Sequence, residues 1–184
     1  MSKRIAYLAA AAFSALSLTS TFVAPARAEE KTVMVGGAAM YPSKNIIQNA
    51  VNSKDHTTLV AAVKAAGLVQ TLEGKGPFTV FAPTNTAFGK LPAGTVDTLV
   101  KPENKATLTK ILTYHVVPGK LEAANLKDGQ TLKTVEGEQL TVKREGKNVM
   151  IVDAKGGTSM VTIPNVNQSN GVIHVVDTVL MPAS

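Results

Sequence analysis

The spacing of apolar residues changes from helical to strand-like along the chain. In segments such as 59–66 and 108–115, apolar residues recur three and four positions apart, which is the period of an α-helix with one buried face. After residue 119, apolar and polar residues alternate, as in segment 139–143, which is typical of strands that bury one face. Helices that come early and strands that come late predict an α+β fold rather than alternating βαβ units.

Two segments are apolar on both faces of a strand. Residues 78–82 combine β-branched and aromatic side chains, and residues 172–180 are interrupted only by His174, Asp177 and Thr178. A strand without alternation is covered on both sides. We therefore expect both segments to be buried strands and the second to lie at the centre of its sheet.

Polar residues at segment boundaries predict where helices begin. Ser43 and Asp55 precede the first two helical patterns, and Asn85 precedes a short one after the first strand. Side chains of these types accept hydrogen bonds from the free N–H groups of a first helical turn. Pro102 suits the start of a longer helix, whose apolar stripe ends at His115.

The first residues have the layout of a secretory signal peptide. Lys3 and Arg4 precede an uncharged run over residues 5–18, and the small residues Ala26 and Ala28 suit a signal peptidase. The run is short and rich in alanine, whereas a membrane-spanning helix needs about 20 strongly apolar residues. We predict a signal peptide over residues 1–28, a flexible N-terminal arm over 29–42 and one domain over 43–184. The mature chain, without a transmembrane segment, is expected in the periplasm or outside the cell.

Charge and cysteine content exclude several classes of function. Removal of the leader takes away three of the 19 basic residues and lowers the formal net charge from +6 to +3. The mature chain keeps a single arginine, Arg144, and its lysines are not interleaved with aromatic residues, which argues against nucleic acid as a partner. The chain has no cysteine, so neither disulfides nor thiolate metal sites are available.

The histidines do not form a recognisable reactive site. His115 ends an apolar helix face and His174 lies within the apolar last strand, and neither has a carboxylate or second histidine at ligand spacing. We expect both to be neutral core residues with hydrogen-bond partners, and we predict no catalytic, metal or cofactor site. Tyr114 suits a buried hydroxyl or an exposed ring equally. His56 is expected to be exposed in the first turn of the second helix.

Three segments together resemble the fasciclin domain. They are 79–88 (TVFAPTNTAF), 114–119 (YHVVPG) and 170–182 (NGVIHVVDTVLMP), and the resemblance extends from about residue 43 to residue 182. It implies a wedge of two β-sheets packed with several short helices. It also implies a secreted or surface protein that takes part in adhesion or matrix association.

In animal matrix members of that family, a Tyr-His segment and a later Asp-Ile pair are linked to integrin recognition. Tyr114 and His115 match the first segment. Asn165 and Val166 occupy the place of the second, with asparagine where aspartate is usual. An amide is a poor ligand for a divalent cation, so the resemblance does not extend to the animal receptor.

Two classes of function follow. We favour a non-catalytic adhesion or matrix-interaction module that binds a cell-surface or matrix protein or polysaccharide through exposed segments 87–98 and 164–169. Because one module cannot bridge two objects, bridging would require a homo-oligomer or a second surface. The alternative is a periplasmic small-molecule binding protein or hydrolase, which needs a pocket with convergent polar groups.

Overall fold

The computed structural model describes residues 31–183, so the predicted signal peptide over 1–28 lies outside the described residues. Nine strands and six helices are joined by turns and three short 3₁₀ segments within that range. In chain order they are β1 (Val33–Val35), β2 (Ala38–Met40), α1 (Ile46–Ala50), α2 (Thr57–Ala66), α3 (Val69–Glu73), β3 (Phe78–Pro83), α4 (Asn85–Gly89), α5 (Thr95–Leu99), α6 (Lys105–Tyr114), β4 (Val116–Pro118), β5 (Thr131–Lys133), β6 (Gln139–Glu145), β7 (Asn148–Val152), β8 (Thr158–Gln168) and β9 (Gly171–Val176).

Seven strands form one strongly bent sheet in the order β4-β3-β9-β8-β7-β6-β5. The long strand β8 pairs with β7 through its first part and with β9 through the rest, and its register shifts twice between Val161 and Val166. Such bulges bend a strand. The sheet ends approach each other where the Val135 N–H donates to the Val116 carbonyl over 2.8 Å. The predicted α+β fold, with helices mainly in the N-terminal half, is confirmed.

Strand β9 lies in the interior of this sheet, between β3 and β8. It pairs in parallel with β3 and antiparallel with β8, and all six of its residues are buried. It begins at Gly171, where an added Cβ would lie 2.0 Å from the Phe78 carbonyl oxygen, so only glycine allows the two strands to approach there. The predicted central position of the last strand is therefore confirmed.

The bent sheet separates two hydrophobic cores, because successive residues of a strand face opposite sides. The first core lies between the helices and one face of β3 and β9, and it includes Val63, Ala82, Leu108, Ile111, Ile173 and Val175. The second core is enclosed by the strands themselves, and it includes Phe81, Tyr114, Leu140, Val142, Ile151 and Val176.

The N-terminal segment is a β-hairpin rather than a loose arm. Strands β1 and β2 pair antiparallel around Gly36 and Gly37, which have φ values of +57° and +76°, as a tight two-residue hairpin requires. Val35 and Met40 are buried in the first core. The prediction of a flexible arm is thus wrong for residues 33–40, because strands of three residues give too little alternation to recognise.

The first helix begins two residues later than its composition suggests. Asn45, not Ser43, caps α1: its side chain accepts the Gln48 N–H over 2.8 Å, and the Gln48 side chain accepts the Asn45 N–H over 3.0 Å. This reciprocal pair is a capping box.

The second helix is capped from a distant part of the chain. The Asn85 side-chain oxygen accepts the Thr58 N–H over 3.0 Å, and its amide donates to the Lys54 carbonyl over 2.8 Å. The predictions that Asp55 caps α2 and that Asn85 caps its own helix are both wrong. Thr84 caps α4 instead, and Asn85 joins α4 to the start of α2.

Candidate functional site

Tyr114 lies at the end of α6 with its side chain in the second core. Its hydroxyl donates to the Gln139 carbonyl over 3.1 Å and accepts the Ala154 N–H over 2.8 Å. The residue is fully buried, and burial raises the pKa of the Tyr114 hydroxyl. Of the two roles open from sequence, the geometry fits a core residue that ties α6 to β6 and to the turn after β7.

His115 caps the C-terminal end of α6 and points toward the first core. Its Nδ1 lies 2.8 Å from the Ile111 carbonyl and its Nε2 accepts the Leu180 N–H over 2.9 Å, which requires the neutral tautomer protonated at Nδ1. A helix C-terminus favours a cation, yet burial lowers the pKa of His115 to about 4. The ring therefore fastens the helix end to the C-terminal segment as an uncharged group.

His174 lies in the middle of β9, and both of its ring nitrogens also bond within the protein. Its Nδ1 accepts the Asn165 N–H over 3.3 Å, and its Nε2 donates to the Leu121 carbonyl over 2.7 Å. The imidazole stacks on Phe81 with ring centres 5.7 Å apart. Burial lowers the pKa of His174, so this ring is neutral as well.

Asn165 and Val166 lie within β8 rather than in an exposed loop. Asn165 has a φ of +58°, and its side-chain oxygen accepts the Ala123 N–H over 2.7 Å. Val166 is 1% exposed and Gln168 is 5% exposed. The expectation of an exposed binding edge over residues 164–169 is therefore wrong for these residues, because the strand continues past Pro164 through a register shift.

His56 is buried, contrary to the sequence expectation. It is 3% exposed at the N-cap position of α2, with its Nδ1 2.9 Å from the Ser53 hydroxyl. Its Nε2 makes no hydrogen bond of ordinary length and angle among the described residues, although the Ala82 backbone acts on the ring as a hydrogen-bond acceptor. Burial lowers the pKa of His56, while the nearby Ala82 carbonyl and the Asp55 carboxylate oppose the shift. The three-residue spacing to Leu59 is the sequence signal that could have placed His56 on the apolar face.

The structure does not gather the predicted residues into one site. His115 and His56 line a cavity in the first core, whereas Tyr114 and His174 do not. Across residues 31–183, no three histidine, aspartate or glutamate side chains are grouped so that they could hold a metal ion. Within the same range, no helix is both long and apolar enough to cross a membrane.

One predicted contact segment is largely exposed. Ala87 and Phe88 are buried and anchor α4 in the first core. Residues 89–94 then cross the surface, and α5 follows with its Asp97 and Thr98 side chains exposed. Lys90 forms an ion pair with Asp177 over 3.4 Å. Most residues of segment 87–98 are therefore exposed, as the sequence predicts for a contact segment.

The sequence pattern of the fasciclin domain matches residues 54–182. This chain belongs to the fasciclin family. It is 46% identical to the protein sll1483 of Synechocystis sp. over 97% of this chain and 95% of that protein. It is 35% identical to the immunogenic protein MPB70 of Mycobacterium bovis, over 95% of this chain and 96% of the relative. The cell surface glycolipoprotein MPB83 of the same species is 39% identical over 80% of this chain and 64% of its own length.

A solved structure shares this fasciclin fold. The FAS1 domain pair from the insect cell adhesion molecule Fasciclin I superimposes with a TM-score of 0.68 at 19% identity, covering 77% of this chain. The chain spans about half of that pair, 52% of its length. The suspected resemblance to the fasciclin domain is confirmed, and the hairpin β1–β2 lies before the matched residues.

Proposed function

We propose that this fasciclin domain is an exported, non-catalytic interaction module that binds a protein or polysaccharide at a cell surface or in its surroundings. The proposal rests on one observation about Tyr114, His115 and His174. Their polar side-chain atoms all bond to backbone groups inside the protein. Because these side chains form the frame of the fold, we assign binding to the exposed surface.

The similar proteins support the same class of function. One relative is named as a cell surface glycolipoprotein, and the solved domain pair comes from a cell adhesion molecule. Export agrees with the signal-peptide pattern over residues 1–28. The similar proteins give no support to the alternative of a periplasmic small-molecule binding protein or hydrolase.

We assign the contact to segment 89–98, which we call the α4–α5 surface. It is held at one end by the buried Phe88, and Pro92 limits its backbone conformations, while Gly94 adopts a φ of +80° that glycine allows. Loops held by a rigid scaffold often carry binding residues. The exposed Asp97 carboxylate lies in the first turn of α5 and offers a charge to a partner.

Attachment to a coated surface tests this proposal. The protein is immobilised, and binding of sister cells, host cells and polysaccharide-coated beads is counted for the wild type and for Asp97→Lys. The matched control is Glu145→Lys, the same change at an exposed position on β6. We expect Asp97→Lys to lose attachment several-fold while Glu145→Lys keeps it, with circular dichroism showing both variants folded.

Two results would count against the proposal in different ways. Equal attachment of both variants at the wild-type level would remove the α4–α5 surface from the binding site. Absence of attachment to every cell type and polysaccharide would argue against an adhesion module. Light scattering on the same samples measures whether the chain forms a homo-oligomer, one of the two ways in which a single module can bridge two objects.

A further inference from the structure

The net positive charge of residues 43–183 is confined to their helical half. Residues 43–118, which contain all six helices, carry eight lysines and four acidic residues, whereas residues 119–183 carry seven basic and seven acidic residues. The helical half therefore has a formal net charge of +4, and the charges of the strand half cancel. Such an asymmetry attracts an anionic partner to one side of the molecule.

Ion pairs leave most of these lysines unbalanced. Lys90 and Lys110 pair with acidic residues of the strand half, Asp177, Glu136 and Glu138. The other six lysines of the helical half form no ion pair within residues 31–183. They are Lys44, Lys54, Lys64, Lys75, Lys101 and Lys105.

Three of these six lysines come together where α2 ends and α6 begins. Lys64 lies in the last turn of α2. The Lys105 ammonium group reaches over the end of the same helix, since its Nζ lies 3.3 Å from where a Cβ added at Gly67 would be. Lys101 lies four residues before Lys105, and all three lysines are exposed. We call these three residues the lysine cluster; Glu103, between Lys101 and Lys105, offsets part of its charge.

The surface around the lysine cluster is hydrophilic. The exposed neighbours on the two packed helices are the small or polar residues Ala61, Ala106 and Thr107. The large apolar side chains that are exposed within residues 31–183 all lie outside α2 and α6. They are Met34, Tyr41, Val51, Val135 and Met160.

This composition distinguishes among anionic partners. A helix that binds a membrane surface inserts large apolar residues, and nucleic acid is recognised by arginine forks and stacked aromatic rings. The lysine cluster and its exposed neighbours offer neither. Lysine and alanine are also depleted at protein–protein interfaces. Lysine ammonium groups are compact point charges, which suit carboxylate or sulfate groups repeated along a hydrophilic chain.

We propose that the lysine cluster binds an acidic polysaccharide, whose carboxylate or sulfate groups contact Lys64, Lys101 and Lys105. Exposed polar side chains such as Thr107 can bond to its hydroxyl groups. The assignment rests on the proposed function, because it names the chemistry of the polysaccharide partner. The α4–α5 surface offers the carboxylate of Asp97 and so suits a different partner. A second surface is one of the two ways in which a single module can bridge two objects.

Binding of soluble polysaccharides to the full chain tests this assignment. Polygalacturonate supplies carboxylates, dextran sulfate supplies sulfates, and unmodified dextran is the neutral reference. Affinity is measured by biolayer interferometry at low and at high salt. We expect binding of either acidic polysaccharide that weakens steeply as salt rises, and no binding of dextran. The NMR signals of the backbone amides in residues 61–65 and 101–107 should shift on binding.

Two double variants of equal charge separate the lysine cluster from the net charge. Lys64→Gln with Lys105→Gln should weaken binding at least about tenfold. The matched control is Lys127→Gln with Lys147→Gln, two exposed lysines of the strand half without an ion pair in the described range, and it should weaken binding less than about threefold. Asp97→Lys should bind at least as tightly as the wild type, so failure here and failure of the α4–α5 surface are distinguishable.

The proposal is overturned if neither acidic polysaccharide binds, if dextran binds equally, or if the two double variants lose affinity equally. Equal losses would mean that net charge alone decides binding. Phosphatidylglycerol vesicles are titrated in parallel, and shifts of the same amide signals with vesicles but not with polysaccharide would also overturn it, in favour of a membrane surface. Circular dichroism of each variant shows whether it is folded.

Discussion

Two buried histidines that line the cavity, each at the end of a helix, differ in the hydrogen bonds that their rings make. His56 stands at the start of α2 and His115 at the end of α6, and they are 3% and 2% exposed. His115 bonds to the backbone through both ring nitrogens, whereas the well-formed hydrogen bond of the His56 ring is to the Ser53 hydroxyl through Nδ1. His115 is thus bonded to the backbone on both sides of its ring, whereas His56 is bonded to a side chain on one side.

The polarity of a helix explains this difference. A helix C-terminus leaves carbonyl groups without intrahelical partners, and His115 donates to one of them on Ile111. A helix N-terminus leaves N–H groups instead, and Asn85 already accepts the one on Thr58. Since Asn85 accepts that N–H, the His56 ring at the start of α2 is not needed as a cap and bonds to the Ser53 hydroxyl instead.

The largest expected effect follows from the loss of both backbone hydrogen bonds of the His115 ring. His115→Phe keeps a ring in the core but leaves the Ile111 carbonyl and the Leu180 N–H buried without this partner. We expect the free energy of unfolding to fall by about 4 kcal/mol, as each orphaned group costs about 1–3 kcal/mol. Urea denaturation measures it. A loss below about 1 kcal/mol would mean that the two backbone bonds do not hold the helix end.

The pH dependence of stability tests whether His115 is buried as a neutral ring. The pKa of His115 falls from 6.5 to about 4 on folding, mainly through burial and in spite of the Asp153 charge. Above pH 6.5 the ring is neutral in both states and the shift has no effect. As the pH falls from 6.5 toward 4, the unfolded chain takes up a proton that the folded chain does not, so stability is lost.

Between pH 6.5 and about pH 5 we expect His115 to remove about 2 kcal/mol of stability. His56 and His174, whose pKa values are also lowered by burial, should add to the loss. Urea denaturation at the two pH values measures the total, and the loss should be smaller by the His115 share in His115→Phe. An equal loss in that variant and in the wild type would place the titration elsewhere.

A smaller effect is expected where the hairpin rests on Ser53, the partner of His56. An added Cβ at Gly36 would lie 2.4 Å from the Ser53 hydroxyl and 2.7 Å from the Asp55 nitrogen, in a left-handed conformation. Gly36→Ala should therefore cost about 2 kcal/mol, combining strain and displacement. Gly37 has positive φ but open space around it, so Gly37→Ala is the control and should cost about 1 kcal/mol. Equal losses would show that the hairpin tip moves freely away from Ser53.

The fold could be predicted where a long segment has one strong period. The apolar stripe that ends at His115 and the unbroken apolar run of β9 each identify an element and its burial. The hairpin could not be recognised in this way, because its strands have three residues each. Contacts between segments that are distant in sequence could not be predicted either, since nothing near Asn85 in the sequence indicates that it caps α2.

The candidate site residues also divide into those whose burial a local sequence pattern predicts and those whose role no local pattern predicts. Burial of His174 follows from its apolar strand, and burial of His56 could have been read from its three-residue spacing to Leu59. The adjacent residue Asp55 instead favoured an exposed first turn. The role of Asn165 depends on a register shift in β8 that brings its side chain to Ala123, and no sequence period reports such a shift.

The smallest expected effect completes the comparison of the two helix ends. His56→Phe removes one bond to Ser53 but also removes a buried nitrogen that makes no hydrogen bond of ordinary geometry, and these changes oppose each other. The free energy of unfolding should change by less than about 1 kcal/mol, against about 4 kcal/mol for the same substitution at His115. Urea denaturation of the two variants side by side gives the ratio. Equal losses would mean that both ring nitrogens of His56 are hydrogen-bonded in solution, as those of His115 are.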